Sequence, residues 1–267
     1  MEDNGKMMEC AVEAAKKAGE YVVSRMGKLK EIGHKGGISD LVTDADKESE
    51  RIITGMIRER FPSHSLLAEE GGESKGENKT KWIIDPIDGT TNFAHGFPVF
   101  CVSIGVSVGG EVKLGVVYDP TRKELFAAEK GKGATLNGVP MRVSKEEKVQ
   151  GALVATGFAY DVEKKEANIE NFKIMLRNAQ AVRRPGSAAI DLCYVACGRF
   201  DGFWESYLSP WDTAAGHLMV TEAGGIVTKF DGQLFDIFEP EIVATNGKIH
   251  EEMLKLLSLA EKPPLER

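Results

Sequence analysis

The chain has 267 residues, 42% hydrophobic and 28% charged, with a net charge of −7. That length can bury a substantial core, and the acidic balance argues against a broad non-specific nucleic-acid surface. The N-terminus, Met1-Glu-Asp-Asn, has no apolar signal core, and no segment is long and apolar enough to span a membrane. Four cysteines do not make a disulfide framework. Cys193 and Cys197 lie one helical turn apart, but no neighbouring His or Cys pair completes a zinc site. Buried thiols in a reducing cytoplasm are the expectation. No internal repeat or low-complexity tract occurs.

Alanines and apolar residues at helical spacing predict a packing helix from about Met7 to Met26. The loop from His34 to Thr43 carries adjacent glycines, and Lys35 on it could approach an anion. Thr43-Asp-Ala-Asp46 opens a second helix, running to about Arg60. Thr43 and Asp46 fit a capping box. Phe61-Pro62 ends that helix. Ser65 to Gly72 reads as a short strand running into an acidic turn with Glu69 and Glu70. Gly71 to Thr80 reads as a solvated loop.

Trp82-Ile-Ile84 is aromatic and β-branched, the end of a buried strand. Pro86 blocks the ladder and holds Asp85 extended, and Asp88-Gly89 signals a turn. Two carboxylates therefore leave a strand within one short loop. Two like charges that close need a cation between them, or one must protonate. Backbone amides of Gly89, Thr90 and Thr91 follow, suited to an anion if a helix starts there. A carboxylate-bound hard cation beside an anion-binding turn is what phosphate-ester chemistry needs.

Beyond this loop, alternation predicts strands at Val99–Val108, Glu111–Tyr118 and Leu125–Glu129. Gly109-Gly110 and Asp119-Pro120 are the turns between them, and Gly131–Gly133 and Asn137-Gly138 turn again. Such a meander flanked by helices argues for a mixed sheet. A second half starts near Ser144, with a strand at Gly151–Thr156 and a polar helix from about Glu163 to Asn178. Pro185-Gly186 breaks the chain, and Ser187 starts a helix with small residues in its first turn. Phe203-Trp-Glu205 ends a strand. Ser209-Pro-Trp-Asp212 is a second capping box, with Pro210 at the first helical position. Thr221 to Gly225 leads into a strand, Glu251 to about Ala260 is a closing amphipathic helix, and the tail is expected to fray.

The string Asp-Pro-Ile-Asp-Gly-Thr-Thr-Asn-Phe at 85–93 resembles the metal-binding signature of the inositol monophosphatase family. Three further stretches match it in family order: Asp40-Leu-Val-Thr-x-x-Asp46, the Glu69-Glu70 pair, and Pro210-Trp-Asp-x-Ala-Ala-Gly216 followed by Glu222-Ala-Gly-Gly225. The resemblance covers about Asp40 to Gly225. It implies an α/β layered αβαβα sandwich with mixed sheets, of the inositol monophosphatase and fructose-1,6-bisphosphatase type. One catalytic domain would span residues 1–267, its halves being about 1–143 and 144–267, usually as a homodimer.

By the same resemblance Glu69, Asp85, the Ile87 carbonyl, Asp88 and Asp212 are ligands for two or three Mg²⁺. All are oxygen donors, which suits a hard cation. Asp46 and Thr90 hold the attacking water, and Glu69 belongs with them as a catalytic group. Phosphate is carried by Mg²⁺ and the Gly89 and Thr90 amides. Gly186, Ser187 and Ala188 lie beside the sugar-like ring, Glu205 bonds its hydroxyls, Asp212 faces the reactive hydroxyl, Asp88 also counts among the substrate-binding residues, and Arg183 is a further candidate on the same ground. The implied activity is Mg²⁺-dependent hydrolysis of inositol 1-phosphate by metal-activated water, with lithium inhibition. Relatives use the same core on fructose 1,6-bisphosphate, histidinol phosphate or 3′-phosphoadenosine 5′-phosphate, and Arg183, Arg184 and Lys35 make a second phosphate thinkable. Some relatives contact transcription or RNA machinery, a rival reading of another class.

Overall fold

The computed structural model describes residues 3–28, 32–34, 41–159 and 162–260. Lys35, most of its glycine loop and the tail after Ala260 lie outside those residues. Helix α1 spans Asn4–Arg25, capped by the Asp3 carboxylate at the amides of Gly5 and Lys6. Strands β1 (Ile32–His34) and β2 (Leu41–Thr43) form a two-stranded pair, and α2 (Asp44–Arg60) follows. Next come β3 (Ser65–Ala68), β4 (Gly72–Ser74), β5 (Thr80–Asp88), α3 (Thr90–Ala94), β6 (Cys101–Val108), β7 (Glu111–Asp119), β8 (Glu124–Glu129), β9 (Gly133–Leu136) and β10 (Val139–Pro140). The later part contains β11 (Leu153–Thr156), α4 (Val162–Asn178), β12 (Ala181–Arg183), α5 (Ala188–Ala196), β13 (Gly202–Ser206), α6 (Pro210–Glu222), β14 (Ile226–Thr228), β15 (Glu241–Thr245) and α7 (His250–Leu257).

Strands β3 to β10 build an eight-stranded sheet in the order β10-β9-β8-β7-β6-β5-β3-β4, and β11 to β15 a five-stranded one in the order β12-β11-β13-β15-β14. Both are mixed: β3 runs parallel to β5, and β11 parallel to β12 and β13, among antiparallel neighbours. Alternation along the strands defines the layers. Trp82 and Ile84 pack with Met7, Ala11 and Ile53 of α1 and α2, while Ile83 packs with Ala189, Leu192 and Ala214 of α5 and α6. Phe203 and Ala244 reach the same middle layer from the second sheet, while Trp204 and Val243 turn outward to Met175, Met253 and Leu257 of α4 and α7. The result is the expected five-layer αβαβα sandwich. Strands buried on both faces read as continuous apolar runs, as Trp82–Ile84 does.

Small residues set the layer spacing. A Cβ on Gly105 would lie 2.8 Å from the Ala214 Cβ, and one on Gly115 would lie 2.9 Å from the Ala215 carbonyl oxygen. Helix α6 therefore rests against the backbone of the large sheet, and its first residues meet the end of β5.

Three local expectations change. Strand β5 does not stop before Pro86. Its pairing with β6 steps from Asp85–Ser103 to Asp88–Cys101, three residues against two, so Pro86 and Ile87 sit in a bulge. A bulge tolerates a residue with no N–H to give the ladder. The stretch Gly71–Thr80 contains the exposed edge strand β4, paired to β3. Strand β15, which pairs with both β13 and β14, had no reading from the sequence.

Candidate active site

The acidic cluster forms where the β5 bulge meets the start of α6. Oxygens of Asp85, Asp88 and Asp212 all lie within 4.8 Å of one another. Each is fixed by its own local device. Ile87 N donates to Asp85 Oδ1 at 3.0 Å across the bulge. Ser209 and Asp212 form the predicted capping box of α6, with Ser209 N donating to Asp212 Oδ2 at 2.6 Å. Asp88 Oδ2 accepts from the Ser187 hydroxyl and from Ala189 N, each at 2.7 Å.

Burial raises all three carboxyls above the usual range, and their mutual repulsion raises Asp85 and Asp212 further. Three acids this close, two of them buried and the third half-buried, cannot all ionise without positive charge among them. The donor set is oxygen only, which fits a hard divalent cation. Glu69, at the end of the β3 turn with its N–H on the Ile84 carbonyl, adds its charge to Asp85 and Asp212. Its neighbour Glu70 is tied instead to α2, with Glu70 N donating to Glu50 Oε2 at 2.8 Å.

Asp46 is completely buried at the start of α2, 0% exposed. Its Oδ2 accepts from Thr43 N at 2.8 Å and from the Thr43 hydroxyl at 2.6 Å, completing the predicted capping box. Its Oδ1 lies 2.9 Å from Thr90 Oγ1, which is also 2.9 Å from the Ile87 carbonyl oxygen. Thr90 has one proton, and the carboxylate is the stronger acceptor. Donation to Asp46 leaves the Ile87 carbonyl and a Thr90 lone pair facing the site.

Gly89 connects β5 to α3 at φ 98°, a left-handed conformation. A Cβ there would also lie 2.9 Å from the Val99 carbonyl oxygen. Asn92 of α3 then ties the loop to the second half, its Nδ2 donating to Val99 O at 2.7 Å and Pro185 O at 2.8 Å. That bond brings Gly186, Ser187 and Ala188 beside Asp88.

Glu205 at the end of β13 is buried and lies against Gly157, where a Cβ would sit 2.2 Å from both carboxylate oxygens. Burial, then the charges of Asp212 and Asp88, raise its carboxyl. The structure does not bring Arg183 to this cluster. It is exposed on the edge strand β12, with Nη1 on its own Val182 carbonyl at 3.1 Å. Its neighbour Arg184 is the cation whose charge acts on Glu205.

One residue escaped the sequence reading. Asp191, one turn into α5, is 1% exposed, and its Oδ1 has no hydrogen-bond partner. Burial raises its carboxyl, followed by the charges of Glu205 and Asp88. A charged residue on the otherwise apolar helix Ala-Ala-Ile-Asp-Leu-Cys-Tyr-Val-Ala was the available signal.

The inositol monophosphatase family profile matches residues 3–261. The chain belongs to that family. The inositol-1-monophosphatase of Synechocystis is 49% identical over 253 residues, 94% of this chain and 88% of the relative. The Nus factor SuhB of Haemophilus influenzae is 43% identical over 251 residues, 93% and 94% of the two chains. Among solved structures, the inositol monophosphatase from Anabaena (Nostoc) superposes with a TM-score of 0.87 at 43% identity, covering 97% of each chain. An IMPase/NADP phosphatase complexed with Mg²⁺ and phosphate matches at a TM-score of 0.82 and 27% identity, covering 94% of this chain and 95% of that one.

Proposed function

We propose that this chain is a Mg²⁺-dependent phosphomonoesterase that hydrolyses inositol 1-phosphate to inositol and phosphate. The observation that carries the reading is the convergence of Asp85, Asp88 and Asp212, whose oxygens lie within 4.8 Å of one another, beside the Asp46–Thr90 hydrogen bond. Support for the substrate and the cation comes from the Synechocystis relative and from the structural relative holding Mg²⁺ and phosphate.

Glu69, Asp85, the Ile87 carbonyl, Asp88 and Asp212 would hold two or three Mg²⁺. Bound there, Mg²⁺ supplies a Lewis acid that lowers the pKa of water and offsets charge on the phosphate oxygens. Asp46 keeps the Thr90 proton turned toward itself, so Thr90 Oγ1 accepts a hydrogen from the attacking water and aims its lone pair. The Gly89 and Thr90 amides face phosphate oxygens, and Asp212 lies on the leaving-group side. Glu205, with Gly186 and Ala188, accepts or donates hydrogen bonds at the ring hydroxyls, and Arg183, exposed on the edge strand, has no part in them. Because the acids come from β5 and from α6, the catalytic unit is the whole chain rather than either half. A homodimer, a cytoplasmic location and lithium inhibition complete the proposal and rest on the family alone. Among the described residues no helix is long and apolar enough to cross a membrane.

The test is phosphate release from inositol 1-phosphate, fructose 1,6-bisphosphate, histidinol phosphate and 3′-phosphoadenosine 5′-phosphate, with and without Mg²⁺. Mg²⁺-dependent release led by inositol 1-phosphate is expected. Release led by another ester would move the specificity, and none from folded, Mg²⁺-bound protein would sink the enzymatic reading. The Haemophilus relative favours a second reading, a binding role in transcription machinery. A partner retained by the Asp88→Asn protein would support it as an additional function.

A further inference from the structure

The first turn of α5 presents a mismatch between sequence and bonding. Ser187 occupies the N-cap position with extended backbone, φ −146° and ψ 105°, yet its side chain accepts no bond from the helix it precedes. Orphan amides at a buried helix start need an acceptor. Here Asp88 provides it. Its Oδ2 takes Ala189 N at 2.7 Å, and the Ala188 amide also bonds the carboxylate. The Ser187 hydroxyl, freed from capping, donates to the same Oδ2 at 2.7 Å. The Cys101 thiol lies 3.8 Å from that oxygen and 3.7 Å from Ser187 Oγ. Asp88 therefore caps a helix that begins 100 residues further along the chain.

We propose that Ser187 is a positioning residue for the cation site, acting through Asp88 rather than through the substrate's ring. The inference rests on the metal centre proposed above. A carboxylate oxygen has two lone pairs, and on Oδ2 the short bonds from the Ser187 hydroxyl and the Ala189 amide, each at 2.7 Å, occupy them. That leaves Oδ1 as the oxygen open to a cation, and the bonds to Oδ2 oppose rotation of the carboxylate. Ser187 is 2% exposed, so water does not readily replace a deleted hydroxyl. Partners that orient a metal ligand in this way are worth about 10–100-fold in metal affinity when removed. A contact to the substrate's ring would instead leave metal affinity alone and raise KM.

The experiment titrates Mn²⁺ into the full-length protein, following free ion by electron paramagnetic resonance, for the wild type, Ser187→Ala and Ser187→Thr. Metal-free thermal unfolding checks that each variant folds. Ser187→Ala should weaken Mn²⁺ binding about 10–100-fold. Ser187→Thr, which keeps the hydroxyl, should restore it, and KM for inositol 1-phosphate at saturating Mg²⁺ should hold steady. An alanine variant that binds Mn²⁺ like the wild type overturns the inference. If the alanine chain does not fold, Ser187→Cys decides, because a thiol fills the space but donates weakly: wild-type Mn²⁺ affinity there overturns the proposal as well. A wild-type protein that binds no Mn²⁺ would defeat the metal centre itself, a different failure.

Discussion

Three of the helices that begin at the site, α2, α5 and α6, begin in two ways. Helices α2 and α6 are capped from within: Thr43 with Asp46, and Ser209 with Asp212, each form a reciprocal box. Both boxes use an aspartate three residues after the cap, and both aspartates then serve the cluster. Helix α5 is capped from outside, by Asp88 of the β5 bulge. A local cap satisfies a helix start from within its own few residues, and it delivers one oriented carboxylate. A cap supplied from far along the chain makes the helix start depend on the β5 bulge, and the bulge on the helix. The second arrangement links the early and late parts of the chain at the acidic cluster.

The comparison breaks most visibly at Asp88. Asp88→Ala removes a proposed cation ligand and the α5 cap together. Mg²⁺-dependent phosphate release should fall by more than about 100-fold, beyond the loss of an orienting partner. Hydrogen exchange at the Ala188 and Ala189 amides should also quicken in the metal-free protein. Asp212→Ala should match the loss of turnover while leaving those two amides protected, since Asp212 bonds at α6. If both variants leave α5 protected, the long-range cap is wrong.

A smaller effect tests the other side. Ser209→Ala deletes a local cap, so stability should drop by about 1 kcal/mol in denaturant unfolding. Mn²⁺ affinity should stay near the wild-type value, because Asp212 Oδ2 is held by the Ser209 backbone N–H rather than by its hydroxyl. Equal losses of metal affinity at Ser187→Ala and Ser209→Ala would erase the distinction between the two kinds of helix start.

The smallest change concerns Asp191, inside the helix that lacks a local cap. Its folded carboxyl is held above the unfolded range by burial. Folding therefore retains a proton that the unfolded chain releases as pH rises through about 4. The stability this group permits is complete below that pH and is lost as pH rises toward the folded value. Asp191→Asn should raise the unfolding temperature at pH 7 and leave it unchanged near pH 3.5. No rise at pH 7 would mean that a cation or donor already satisfies this carboxylate.

The layered α/β class, both capping boxes and the acids of the 85–88 loop that converge with Asp212 were all legible in the sequence. Each is a local or periodic signal: alternation, an aspartate three residues past a cap, a proline between two acids. The path of β5 through Pro86 was not, because whether a proline ends a strand or enters a bulge depends on the partner strand's register. Arg183 and Ser187 were placed by resemblance at the ring. The backbone turn at Pro185-Gly186 puts one on a sheet edge and the other against Asp88. Asp191 stood in an apolar helix with no local reason to be noted.

The sequence by itself determined which carboxylates exist, their order along the chain and the helix starts that fix Asp46 and Asp212. Spacing within three or four residues is settled by backbone geometry alone. Only the tertiary structure decided that Asp88 caps α5, that the Thr90 hydroxyl lies between Asp46 and the Ile87 carbonyl, and that three acids from β5 and α6 come within 4.8 Å. The long-range contacts among these join residues 44 to 127 positions apart, and chain-local propensity carries no information about such pairs. Packing of two sheets against one layer of helices brings them together.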